Sequence, residues 1–166
     1  MTAEARTRKV FVWLDRAKAD LAAARQDYRD TAHLPYHACF WAQQATEKSL
    51  KAALIFANIP PDRDHDLDRL ARQLPDGWRA RNSAGRLAAL TEYAVDTRYP
   101  DARKEPTHKD AEDAIKTAGA VYLMVIRDLG DRGAPISPEY YPVPPKPRDQ
   151  PPAVDQRDDP GEREYP

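Results

Sequence analysis

The strongest helix signal in the chain is one unbroken stretch, PYHACFWAQQATEKSLKAALIFAN, which runs from Pro35 to Asn58. Proline suits the first turn of a helix, and the run Ile59-Pro60-Pro61 after the stretch predicts a firm stop. The residues in between are mostly strong helix formers, with no interior glycine or proline. Four apolar side chains recur at helical spacing and predict a core-facing stripe: Tyr36, Phe40, Leu50 and Leu54.

The same stripe contains two polar residues, Gln43 and Glu47, which need hydrogen-bond partners if they are buried. Along its edge lie side chains spaced three or four apart, and therefore neighbours on one strip: Trp41, Gln44, Lys48 and Lys51. One interpretation is a core helix with ordinary solvated lysines. The other interpretation is a polar binding surface. The pattern of this helix alone is compatible with both interpretations.

Composition predicts one domain in a reducing compartment. A chain of 166 residues that is 41% hydrophobic can bury one core. Its net charge of −1 does not indicate a nucleic-acid partner, since it gives no overall positive field. The single cysteine, Cys39, excludes an intramolecular disulfide and is expected to be a small buried hydrophobe. No signal core or membrane-length apolar window is found, so we expect a cytoplasmic protein that makes no membrane contact.

Helices are predicted on both sides of the central one. A first helix is expected from about Thr7 to Asp30, and the short link after it should make the central helix return antiparallel. Asp64 is expected to cap a short helix, which ends at the turn Pro75-Asp76-Gly77. The next helix is predicted from about Ser83 to Arg98. The inward-facing residues of the first and short helices are Val10, Leu14, Ala17, Leu21, Ala24, Tyr28, Leu67, Leu70 and Leu74.

A last helix is predicted to begin after Thr107, a good cap with Asp110 three residues on. Its segment from Val121 to Ile126, VYLMVI, is apolar on every side, which favours a helix buried on several faces. We therefore expect a homodimer whose interface includes this segment, and a charged residue at Met124 or Ile126 should dissociate it if that side chain faces the partner.

The composition changes near Gly130, beyond which lie ten of the sixteen prolines. Such a segment buries too little to offset its ordering entropy, so residues 131–166 are predicted to form a disordered proline-rich tail. Its run from Pro142 to Arg148 is also similar to ligands of proline-binding grooves. The predicted fold is all-α: an antiparallel up-and-down bundle of four long helices and one short helix over residues 1–130.

Four motifs stand in order on this scaffold: RAKADL from Arg16 to Leu21, CFWAQQATEKSLKAAL in the central helix, then HDLDRL and TRYPD. This order resembles the HEPN domain over about Val10 to Leu129. The resemblance implies a helical bundle that usually dimerises, often beside a minimal nucleotidyltransferase. Some members of the family are toxin ribonucleases, and others bind nucleotides or RNA without catalysis.

The resemblance also implies a set of nucleotide- or phosphate-binding positions. In this chain they are Gln44, Glu47, Lys48, Lys51, His65, Arg98, Tyr99 and Asp101. Lysines can hold phosphate, and Arg98 can do so with two parallel hydrogen bonds. The alternatives are structural: Glu47 pairs with Arg98 or Lys48 to build the bundle, and His65 bonds nearby backbone at a helix start.

The ribonuclease branch of the family is marked by an arginine followed, after four to six residues, by a histidine. The chain has one such pair, Arg103 and His108, although this composition produces roughly one by chance. His108 would sit at the start of the last helix, where backbone N–H groups can help to hold phosphate. These two residues are the candidate catalytic pair of a metal-independent endoribonuclease.

No phosphate-binding glycine loop, metal-ligand spacing or nucleophile–base pair stands out, so no cofactor and no metal are predicted. The first hypothesis is a nucleotide- or RNA-binding regulatory partner of a minimal nucleotidyltransferase in a toxin–antitoxin-like module. The alternatives are the endoribonuclease and a structural dimerisation module. The sequence does not identify the nucleotide, the RNA or the partner.

Overall fold

The computed structural model describes residues 2–30, 34–63, 65–93 and 105–141, and all regular elements in these ranges are helical. The all-α prediction is therefore confirmed. Three helices are long: α1 (Ala3–Arg29), α2 (Pro35–Phe56) and α5 (His108–Asp131). Two are short, α3 (Leu67–Gln73) and α4 (Ala88–Glu92), and two 3-10 helices span Ala80–Ser83 and Pro138–Tyr140.

Helix α2 lies at the centre of the bundle, packed against both α1 and α5. Its packing face is rich in fully buried alanines, which let the neighbouring backbones approach closely. The predicted seam of α1 is buried, from Val10 to Ala24. Lys48 on α2 pairs with Asp20, and Lys51 lies over the ring of Trp13. In these two contacts the later residue of α2 meets the earlier residue of α1.

The predicted end of α2 and the predicted short helix are both confirmed. Asn58 takes a positive φ of 60°, and the Ile59 N–H donates to the Leu54 carbonyl at 2.9 Å. Helix α3 then begins one residue after Asp66, whose carboxylate accepts the Arg69 N–H at 3.0 Å. The helix cap is therefore Asp66 and not the predicted Asp64, which lies outside the described residues.

The predicted helix from Ser83 is wrong at its start, because α4 begins only at Ala88. The cause is Asp68 on α3, whose nearly buried carboxylate accepts the N–H groups of Gly85 at 2.7 Å and Leu87 at 3.0 Å. Gly85 has a φ of 86°, which lies outside the helical region. Residues 94–104 are outside the described ranges, so the predicted end at Arg98 is not tested.

Helix α5 begins with the predicted capping box between Thr107 and Asp110. Its apolar run is buried largely by the chain itself: Val121, Tyr122, Val125 and Ile126 lie in the core. Ile126 therefore does not face a partner, which leaves Met124 as the candidate of the two. Only Leu123 and Met124 in this run are half-buried, which removes most of the surplus apolar surface from which a dimer was predicted.

The predicted disordered tail does not begin at residue 131, because side chains of residues 134–141 pack on the bundle. We call residues 134–141 the strap. Gly133, with a φ of 84°, turns the chain back from α5. The Tyr140 hydroxyl donates to the Asp15 carboxylate at 2.8 Å, and its ring lies 5.4 Å from that of Phe11. The strap thus covers one side of α1, while residues 142–166 lie outside the described ranges.

Candidate functional site

A row of three polar side chains lies along α2 where an apolar stripe would be expected. Gln43, Glu47 and Lys51 follow one another at intervals of four residues, so they stand on one face of the helix. Their relative exposures are 0%, 5% and 8%. Charged residues are almost never buried to this extent unless they are paired, so the row requires partners.

Glu47 is the acceptor on which this row converges. Its carboxylate accepts hydrogen bonds from Lys51 Nζ at 2.6 Å, from His65 Nδ1 at 3.0 Å and from Gln43 Nε2 at 3.1 Å. Burial by itself would raise the pKa of Glu47, but these three hydrogen bonds outweigh burial and hold the pKa below its usual value. Glu47 is therefore a charged carboxylate at neutral pH.

A second set of contacts joins this row to α1. Gln44 Nε2 donates to Gln43 Oε1 at 2.8 Å, and Lys48 Nζ donates to Gln44 Oε1 at 3.2 Å. Lys48 also forms a close ion pair with Asp20 of α1. On the same side Lys51 Nζ lies 5.8 Å from the ring centre of Trp13. We call the connected residues the polar network: Gln43, Gln44, Glu47, Lys48, Lys51, His65 and Asp20.

His65 joins the network from the loop between α2 and α3. Its side chain is 60% exposed, whereas that of Glu47 is 7% exposed. An ionised carboxylate can only accept, so the imidazole presents an N–H to Glu47. The structural alternatives were backbone bonding by His65 and pairing of Glu47 with Arg98 or Lys48. Glu47 pairs with Lys51 and His65, and Lys48 pairs with Asp20, so the pairing of Glu47 with Lys48 is wrong. Arg98 lies outside the described residues, so its pairing stays a prediction.

The structure brings together five of the eight predicted binding residues: Gln44, Glu47, Lys48, Lys51 and His65. The other three, Arg98, Tyr99 and Asp101, lie outside the described residues, as does Arg103. Their predicted roles stay predictions.

His108, the other member of the candidate catalytic pair, lies away from the polar network. It is the exposed first residue of α5, and its ring is 5.7 Å from that of Tyr28 near the end of α1. Tyr28 comes eight residues after Asp20, a distance of about 12 Å along a helix axis. His108 therefore lies at a different level of the bundle from the polar network.

Sequence reasoning missed two members of this region, Asp20 and Trp13. Both lie on α1 outside its apolar seam, and both meet lysines of α2. The only signal was their presence in the first helix, with Asp20 inside RAKADL. The pairing of Asp20 with Lys48 depends on how two helices pack, which no spacing within one helix can reveal.

Outside the polar network, the described residues were searched for metal sites, membrane-spanning helices and a reactive cysteine. They contain no group of three or more His, Cys, Asp or Glu side chains able to hold a metal ion. None of their helices has the length and apolar character needed to cross a membrane. Cys39 is buried, as predicted, and burial raises the pKa of its thiol to about 12 despite a hydrogen bond from Tyr93.

A cavity of about 210 Å³ lies between α4 and α5, away from the polar network. It is lined by residues of both polar and apolar character, among them Arg86, Leu90, Tyr93, Asp110 and Asp113. Asp110 already serves the capping box and Asp113 pairs with Lys109, so neither carboxylate is available as a dedicated ligand group.

Comparisons with known proteins place the chain in a family. A search of curated proteins found no match. The crystal structure of TT1696 from Thermus thermophilus is similar, with a TM-score of 0.62 and 27% identity, covering 73% of this chain and 98% of TT1696. The family model of the HEPN domain matches residues 10–129. The chain described here is therefore a member of the HEPN domain family.

Proposed function

We propose that this HEPN-domain protein binds a nucleotide or RNA phosphate at the polar network and acts as a regulatory partner of a minimal nucleotidyltransferase, in a toxin–antitoxin-like module. One observation carries the proposal: five residues at family motif positions form a single hydrogen-bonded network that includes the buried charges of Glu47 and Lys51.

Such a network is not needed to build a bundle. Replacing a buried ion pair by packed apolar residues of similar volume is often neutral or stabilising, because removing two charges from water is costly. The neighbouring positions Leu50 and Leu54 show that α2 packs well with apolar side chains. A role in binding accounts for the presence of these charges, which packing alone does not explain.

Lys48 is the best-placed cation for a phosphate. Its ammonium has three N–H donors, and its bonds to Asp20 and Gln44 use two of them. The side chain is 20% exposed, so the remaining donor can reach a ligand oxygen at the surface. Asp20 and Gln44 hold the ammonium in place beforehand, which lowers the entropy lost on binding.

Fluorescence anisotropy with labelled ATP and labelled RNA tests this proposal. We expect Lys48→Met to weaken binding about tenfold, consistent with the loss of a hydrogen bond to a charged group. Arg98→Ala should also weaken it, and raised salt should reduce affinity. The matched control is Lys116→Met, an exposed lysine of α5 that pairs with Glu112. Absence of binding at low salt would leave only the structural dimerisation module.

The endoribonuclease is the second candidate, favoured by the exposure of His108 at the start of a 24-residue helix. In this case the purified protein should cut RNA without added metal, and His108→Ala should abolish the cutting, since histidine is suited to proton transfer near neutral pH. Cleavage with this dependence would overturn the binding-only role. We expect none.

The partners belong to the same proposal. A homodimer is proposed on the family resemblance, and Leu123 and Met124 are the part of the apolar run that the core leaves partly exposed for it. Sedimentation at concentrations on the order of tens of micromolar tests the dimer. The nucleotidyltransferase rests on family membership alone. Co-expression with a small nucleotidyltransferase encoded beside this protein, followed by co-purification, tests that association.

A further inference from the structure

Helix α1 presents a polar stripe beside the polar network. Lys9, Trp13, Arg16 and Asp20 follow one another at intervals of four, three and four residues, so they share one side of the helix. Asp20 pairs with Lys48, and Trp13 lies under Lys51, which fixes this side of α1 against the edge of α2. The stripe and the network therefore form one continuous surface, which we call the α1–α2 edge.

The cations of the α1–α2 edge differ in how they are paired. Lys48 and Lys51 are bound to carboxylates, whereas Lys9 and Arg16 are exposed and form no ion pair with any residue in the described ranges. These two flank Trp13 at a separation of two helical turns, or about 10 Å. Four cations against two carboxylates leave the edge positively charged, although the chain as a whole carries a net charge of −1.

Trp13 adds an aromatic surface between the two unpaired cations. Its indole is half-buried, and the Lys51 ammonium 5.8 Å from the ring centre is itself tied to Glu47. The ring is therefore held in place and still partly accessible. A fixed aromatic ring between cations suits a stacked base with phosphates on either side, and stacking is tolerant of base identity.

Other anionic partners fit the edge less well. Val12 is 46% exposed and is the one large apolar side chain of α1 in the described residues with that much exposure. A helix that lies in a membrane interface needs a broad apolar face, which this side of α1 lacks. An acidic protein surface would pair with the cations of the edge, but it does not require the fixed indole of Trp13.

We infer that the α1–α2 edge is a binding site for single-stranded RNA, in which Trp13 stacks on a base while Lys9 and Arg16 contact the backbone phosphates. The inference rests on the proposed function, since it extends the same surface from α2 to α1. It adds three residues to the site and specifies an unpaired strand as the ligand.

The test measures binding of a labelled oligouridine RNA of about ten nucleotides, a length within the usual range of such sites. Trp13→Leu should weaken binding about tenfold or more, whereas Trp13→Phe should stay close to wild type, because it keeps an aromatic face. Lys9→Ala/Arg16→Ala should weaken binding and lower the slope of log affinity against log salt by about 1.4. Thermal melts of each variant establish that the fold is intact.

The control Lys116→Ala/Arg127→Ala removes one lysine and one arginine from exposed positions of α5 and should leave RNA binding unchanged. If Lys48→Met weakens binding while all the α1 variants bind normally, the inference fails and the proposed function stands. If the α1 variants lose binding while Lys48→Met does not, the phosphate role proposed for Lys48 fails and the inference stands. Absence of RNA binding, or α1-dependent binding to phosphatidylserine vesicles instead of RNA, would overturn the inference.

Discussion

Glu47 is the residue on which the polar network depends. It is 5% exposed and accepts from a lysine, a histidine and a glutamine, so its charge is stabilised by donors that come from two parts of the chain. Lys51 in turn is 8% exposed and relies on Glu47 for its counter-charge. Removal of either charge leaves the other buried without its partner.

The first prediction concerns this pair. Glu47→Gln should destabilise the protein at pH 7 by about 3 kcal/mol, the lower end for breaking a buried pair, because Lys51 retains some exposure. Urea unfolding at pH 7 measures the change. A loss no larger than that of Glu112→Gln, a partly exposed carboxylate of α5, would show that the network contributes little to the fold.

The same residue makes stability depend on pH. The pKa of Glu47 is lowered in the folded state, so its contribution is present above its unfolded value of 4.5 and is lost as the pH falls below that value through the folded pKa. Wild-type stability should therefore fall more steeply than that of Glu47→Gln as the pH is lowered from about 5. Parallel curves for the two proteins would contradict this assignment.

At the scale of elements, two buried carboxylates decide where the connecting segments run. Asp68 on α3 delays the start of α4, and Asp128 on α5 organises the 3-10 helix at Ala80–Ser83. Asp128 is fully buried and accepts the backbone N–H groups of Arg79 at 3.0 Å and Ala80 at 2.9 Å. Each carboxylate thus fixes a loop by capping free backbone donors.

The second prediction follows from Asp128. Asp128→Asn should cost about 3 kcal/mol, because an amide N–H would face a backbone N–H that loses its acceptor. Thermal or urea unfolding measures the loss. Asp131→Asn is the matched control, since Asp131 also pairs with Arg79 but its side chain is 59% exposed, and the control should change stability much less. Equal effects would mean that the guanidinium contact, rather than the backbone capping, is what matters.

The features that could be predicted from the sequence are those that depend on the spacing of residues within a single helix. The seam of α1, the leucines of α3 and the capping box of α5 all follow from intervals of three or four residues. The members of the polar network on α2 were predictable for the same reason. The start of α4, the partner of Lys48 and the position of His65 depend on contacts between elements, and spacing within an element carries no information about these.

At the scale of the whole molecule, the strap extends the folded unit beyond α5. Ile136 and Tyr140 pack against the core, and Tyr140 contacts Asp15 and Phe11 of α1. Lys18 also lies over the Tyr140 ring, at 5.5 Å from its centre. The domain that folds is therefore longer than the change in composition at Gly130 suggests.

The third prediction compares two truncations. A chain that ends at Gly133 should melt about 5 °C lower than the full chain, because it exposes Phe11 and loses the Tyr140 hydrogen bond. A chain that ends at Tyr141 should melt close to the full chain, since a proline-rich polar segment has little to bury. Scanning calorimetry on the three proteins measures both differences. Equal melting temperatures for the two truncations would show that the strap adds no stability.

The hydrogen bond between Tyr140 and Asp15 also bears on the order of events in folding, since it joins residues 125 positions apart. Contacts that close so long a loop carry a large entropy cost, and the chain gains them only after shorter loops are in place. Interactions absent from the transition state leave the folding rate almost unchanged and slow the unfolding rate. We therefore expect removal of the strap to speed unfolding and to leave the folding rate almost unchanged.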